Sequence, residues 1–168
     1  ARMATYTSPV LRGGEPAVRI SVPVAGQKEI YLYVLGAPEV VYAAADWADA
    51  KLIDDTGKET FISRITLLEG QLSKDCNLFS GVSGPIRIAG RKFERGIEMY
   101  PDGIGKVRVA LDKPSARLEA WIGIDDWVGK HGAVRFIVTG PEGAAREDLW
   151  DLAARDFSEE APRREMKW

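Results

Sequence analysis

Apolar and polar residues alternate along most of this chain. In residues 17–24, "AVRISVPV", Val18, Ile20, Val22 and Val24 fall on one side of an extended backbone. Residues 29–34, "EIYLYV", repeat the pattern after the turn formers Gly26 and Gln27. Side chains of a strand point to opposite faces with a period of two, so this alternation predicts strands with one face on a core. The two runs and the turn between them predict a hairpin. Further strands are predicted over 39–44, 50–53, 59–62, 86–88, 106–111, 117–124 and 133–139, with turns at "DDTGK", "PDGIG", "DKPS" and "GPEG". Many short strands punctuated by Gly, Pro and Asp predict an all-β antiparallel sandwich rather than an alternating α/β fold.

The pattern changes near the end. In residues 143–157, "GAAREDLWDLAARDF", Ala145, Leu149, Leu152 and Phe157 make an approximate helical stripe, with Trp150 and Ala153 beside it and charged residues opposite. This predicts a C-terminal amphipathic helix. The last residues, "SEEAPRREMKW", are too charged to bury themselves and predict an extended tail. The organisation expected is a sandwich over 1–142, then the helix and tail over 143–168.

Composition narrows the function classes. A chain of 168 residues with 45% hydrophobic content suffices for one ordinary core. Its 23 Lys and Arg stand against 25 Asp and Glu, for a formal charge of −2. That balance argues against a nucleic-acid footprint and against a polybasic membrane patch. No apolar run approaches the roughly 20 residues of a bilayer span. The single cysteine, Cys76, cannot form an internal disulfide and leaves the compartment open. The opening "ARMATYTSPV" has neither an initiator Met nor a secretory layout, which fits a piece cut from a longer polypeptide.

The chemistry-bearing residues point away from catalysis. His131, the one histidine, is the only conventional base for a Ser or Cys nucleophile, and it sits between glycines in "GKHGAV" without a nucleophile motif. One His and one Cys cannot build a structural zinc site. Calcium needs only oxygens, and "IDDTGK", "SKDCN", "YPDG" and "IDDW" supply them, so calcium stays open as a cofactor, with turn-forming Asp as the plainer role. Asp125 and Asp126 are adjacent, so in extended backbone their side chains diverge and could not flank one glycosidic bond.

The aromatic residues are more informative. Trp47, Tyr100, Trp121 and Trp127 fall at or near predicted strand ends and turns. An exposed indole or phenol offers a flat apolar face to the C–H face of a sugar, while nearby polar groups read its hydroxyls. "DDWVGKH" carries such a combination in Asp125, Asp126, Trp127, Lys130 and His131. Trp121, inside "LEAWIGI", reads as a core residue.

Residues 84–140 resemble the NPCBM family of carbohydrate-binding modules. The likeness is carried by Gly90, Phe93, Arg95, Gly96, Ile97 and Leu111, by the "GIDD" run Gly123, Ile124, Asp125 and Asp126, and by Gly132, Val134, Phe136 and Val138. Residues 28–53, with "ADWADA" at 45–50, resemble the segment that usually closes such modules. Here they precede the "GIDD" run, an order that reads as a circular permutation of one sandwich. Where family members commonly carry a histidine after the "R-G-I" turn, this chain has Tyr100. The resemblance implies a galactose-binding-like jelly roll and non-catalytic carbohydrate recognition. It also implies attachment to, or association with, a catalytic domain or subunit such as a glycoside hydrolase, and favours an extracellular or periplasmic setting. The sugar-binding residues it suggests are Trp127, His131, Lys130, Asp125, Asp126, Tyr100, Arg95 and Trp47. The alternative is an interaction domain that docks on a catalytic partner through the C-terminal helix and tail without binding sugar.

Overall fold

The structure, a computed structural model, describes residues 3–36, 44–62, 76–77, 85–99 and 104–144. Alternation builds strands as the sequence predicts. Ile30, Leu32 and Val34 of β4 (Glu29–Gly36), Val107 and Val109 of β11 (Ile104–Ala110), and Val134, Phe136 and Val138 of β13 (Ala133–Thr139) all enter one core. These strands pair antiparallel in the order β13-β4-β11, with β1 (Tyr6–Thr7) and β2 (Leu11–Arg12) on the other side of β13.

A second antiparallel sheet closes over that face. Its order is β3 (Val18–Pro23), β12 (Arg117–Ile124), β5 (Ala45–Ile53), β10 (Gly96–Met99) and β7 (Cys76–Asn77), with β6 (Glu59–Phe61) paired to β5. Ile20, Val22, Trp47, Leu52, Ile97, Met99, Leu118 and Ile122 face inward. Burying such side chains drives closure, at about 1.5–3 kcal/mol each before the entropy of ordering is deducted. The fold is therefore the antiparallel sandwich expected, and both halves of the chain share its interior.

One connection differs from the sequence reading. Residues 17–24 and 29–34 do not form a hairpin: β3 pairs with β12, whereas β4 pairs with β11 and β13 in the opposite sheet. Val24 is fully buried, its N–H donates to the Ala116 carbonyl, and its own carbonyl accepts from Gln27 N–H, so the chain turns and crosses between sheets there. Strands of both sheets need one apolar face, so alternation alone cannot tell a hairpin from a crossover.

Strand β5 starts at Ala45, well before the predicted 50–53, and it is bulged. Glu119 pairs with Lys51 but Trp121 pairs with Ala48, so Asp49 and Ala50 together oppose Ala120. Asp49 has φ 48°, the left-handed conformation that such an extra residue often adopts. The insertion shifts the period: Ala45 and Trp47 before it and Ala50 and Leu52 after it all face the core. Asp46 and Ala48 are left on the outer face.

That outer face is covered. A hairpin of β8 (Ile86–Ile88) and β9 (Arg91–Phe93) lies over it, with Ile86, Ile88 and Phe93 against Ala48 and Trp121. Gly123 permits the close approach, since a Cβ there would come 2.6 Å from Ile88 Cγ2. A helix, α1 (Pro141–Ala144), begins inside the predicted "GPEG" turn, two residues before the expected helix, of which residues 143–144 fall within the description. The remainder of that helix, the tail, Tyr100 and residues 39–43 of the predicted 39–44 strand lie outside the described residues.

Candidate functional site

The "GIDDW" run ends β12 and opens a single 3-10 turn, Asp126–Val128. Asp125 is extended and caps that turn, its Oδ1 accepting the Trp127 backbone N–H at 3.1 Å while its own N–H donates to the Ala44 carbonyl. A short acidic side chain at this position satisfies an amide that the turn leaves free. The two carboxylates take different partners where the backbone changes from extended at Asp125 to 3-10 at Asp126. Asp125 is buried, whereas Asp126 reaches the β8–β9 turn, its two oxygens accepting the N–H groups of Ala89 at 2.7 Å and Gly90 at 2.8 Å. Both turn residues have positive φ, the two-residue geometry suited to a twisted hairpin. Asp126 thus anchors the hairpin that covers the outer face.

Trp127 is the one large apolar side chain exposed among the described residues, at 48%. Its indole Nε1–H donates to Glu98 Oε1 at 3.1 Å, so the polar edge of the ring is tied down. Lys130 and His131 are exposed on the turn that follows. That turn is braced, because Gly13 donates its N–H to the Gly132 carbonyl and a Cβ at Gly13 would run into the carbonyl oxygens of Gly129 and His131. The structure therefore brings Asp125, Asp126, Trp127, Lys130 and His131 to one end of the sandwich.

Other predicted residues go elsewhere. Trp47 is fully buried, with its ring edge-on to Phe136 at 5.0 Å, so it offers no face to a sugar. The bulge at Asp49 is the cause, since it keeps Trp47 in phase with the core. Arg95 stacks on Phe61 at 4.2 Å. Phe61 pairs with Lys51 of β5, whereas Glu98, which holds Trp127, pairs with Asp46, so Arg95 does not join the cluster. Trp121, expected in the core, lies half-buried on the outer face under the Arg91 guanidinium, 4.0 Å from its ring. At the other end of β5, Leu52, Asp54, Thr60, Leu111, Asp112 and Ser115 line a shallow cavity of about 200 Å³ that contains no aromatic ring.

Two residues at the site escaped the sequence reading. Asp46 and Glu98 are direct cross-strand partners, and with Asp125 they offer carboxylate oxygens all within 4.8 Å of one another. The three are 0%, 1% and 4% exposed. Like charges opposite each other in a sheet are unfavourable, and burial makes them more so. Burial first, then the neighbouring acids Asp125, Glu98 and Asp126, pushes the Asp46 carboxyl up to about 12. No N–H or O–H donor reaches either of its oxygens. The one available signal was the setting of these acids, Asp46 in "ADWADA" and Glu98 in "GIEM", within runs otherwise rich in apolar residues.

A stability consequence follows for the cation-free chain. The unfolded chain releases the Asp46 proton near the ordinary 3.8, whereas the folded chain keeps it to about 12. The contribution is therefore present in full below pH 3.8 and is progressively lost as pH rises above it. Asp46→Asn removes this dependence, so in EDTA the variant should gain stability over the parent between pH 5 and pH 8. Urea unfolding at the two values checks it, and parallel profiles would contradict it.

Nothing among curated proteins or solved structures matches the chain significantly. A family model does, over residues 2–53 and 66–159, which takes in β1 to β5 and the whole run from β7 through the Trp127 turn to β13. That model is the NPCBM/NEW2 domain, and the chain belongs to this family.

Proposed function

We propose that this chain is a non-catalytic carbohydrate-binding module whose ligand lies across Trp127. Membership of a family named for carbohydrate-binding modules supports the class, and the state of Trp127 carries the reading of this chain. Its ring is exposed while its N–H edge is held by Glu98, so little freedom is lost when a sugar stacks on it. Lys130 and His131, exposed on the turn that follows, offer donors and acceptors for hydroxyls.

One stacking aromatic supports modest affinity, with about 0.5–1.5 kcal/mol from the ring contact beyond the area it buries. Weak binding suits an accessory role, in which attachment to a catalytic domain or subunit converts repeated weak contacts into retention on a polysaccharide. Glycan-array screening followed by calorimetry tests this. The parent chain should bind a defined glycan, and Trp127→Ala should weaken that binding at least tenfold, about 1.4 kcal/mol, with the fold unchanged. Equal binding by the variant, or a folded parent that binds no glycan, would refute the reading.

A further inference from the structure

We propose that Asp46, Glu98 and Asp125 form a buried calcium site directly behind Trp127. The strands assemble it: β5 and β10 set Asp46 opposite Glu98 on the outer face, and the end of β12 delivers Asp125. The three ligand oxygens lie within 4.8 Å of one another, a spacing that a single ion with oxygen ligands at about 2.4 Å can bridge.

Asp46 is the observation that points to an occupant. It is fully buried, it is aimed into the cluster, and neither of its oxygens meets a donor. Buried acceptors in folded proteins are nearly always satisfied, and leaving one unmet costs several times what an ordinary hydrogen bond contributes. A divalent cation would displace the Asp46 proton, coordinate both of its oxygens and leave the three carboxylates with one net negative charge.

The donor set selects the ion. Oxygens alone, without nitrogen or sulfur, favour a hard cation over zinc. Magnesium keeps several waters in a strict octahedron, whereas calcium accepts bidentate carboxylates in a flexible shell. Ligands this deeply buried leave little room for water, which favours calcium.

The site also reaches the surface. Glu98 accepts the Trp127 indole N–H, and Asp125 accepts the Trp127 backbone N–H. Two of the three ligands thus hold Trp127, Glu98 by its ring and Asp125 by its backbone, and an ion that fixes them fixes the residue. This positioning role rests on the reading of Trp127 as the sugar platform; the ion itself does not.

The test uses metal and no glycan, so its failure and that of the sugar reading are separable. The full chain is stripped with EDTA and titrated with calcium by calorimetry, and with terbium by luminescence excited through tryptophan. One calcium per chain is expected, with Kd at or below the order of 10⁻³ M, together with a higher thermal midpoint. Asp46→Asn should weaken binding at least tenfold while retaining the strand-dominated circular dichroism, and Asp54→Asn, at a distant turn, should not. Should Asp46→Asn fail to fold, Glu98→Gln replaces it with the same readout. No uptake at several millimolar with an unshifted midpoint, preference for magnesium, or undiminished binding by the folded variant would overturn the proposal.

Discussion

Trp47→Ala should destabilise the module by about 3–5 kcal/mol, a large part of the 5–15 kcal/mol that holds an ordinary domain together. Trp47 is fully buried on β5, between β12 and β10, and its ring meets Phe136 of the opposite sheet at 5.0 Å and 81°. Truncation opens a cavity where the two sheets meet, and strands paired on both sides cannot move in to fill it. Urea unfolding should show a much lower midpoint with little change in slope. A loss below about 1 kcal/mol would mean that the two sheets do not depend on this ring.

Gly96→Ala should be nearly as damaging, for a different reason. Gly96 has φ 150°, and a Cβ there would run into the Trp47 carbonyl oxygen and come 2.8 Å from Ile86 Cδ1. The first obstacle is backbone, so it gives way only if β10 separates from β5. Strain and overpacking together should cost about 2–5 kcal/mol. Because Glu98 is two residues further along β10, the Trp127 indole should also lose its anchor. A lower thermal midpoint together with altered Trp127 fluorescence is expected, the latter isolated by comparison with Trp127→Phe. A variant with parental values in both would remove the argument from close approach.

Much of this architecture was legible in the residues. Strands β12 and β13 fall where alternation sets them, because their core residues, Leu118, Ala120, Ile122 and Ile124 and then Val134, Phe136 and Val138, recur at every second position. Other features depend on partners distant in sequence. The crossover after Val24 reads like a hairpin until the pairing of β3 with β12 is known. Trp47, between acidic residues, reads as a surface residue until the bulge at Asp49 restores it to the core. Asp46 and Glu98 lie outside the strands that alternation predicts, so nothing in the sequence sets them opposite each other, and the pairing of β10 with β5 does. Burial on both sides of a sheet cannot be read from one strand.

The bulge at Asp49 acts on β5 much as a reading frame acts on a message. Remove one residue there and the strand becomes regular, but only one of its halves can keep its orientation. Either Leu52 turns away from the interior, or Trp47 does and the Asp46 acid is driven into it. Loss or gain of a single residue in this short stretch is thus far more damaging than in an open turn such as that at Gly57, where a Cβ would meet nothing within 4 Å. Natural length variation in relatives should avoid the first place and collect at the second.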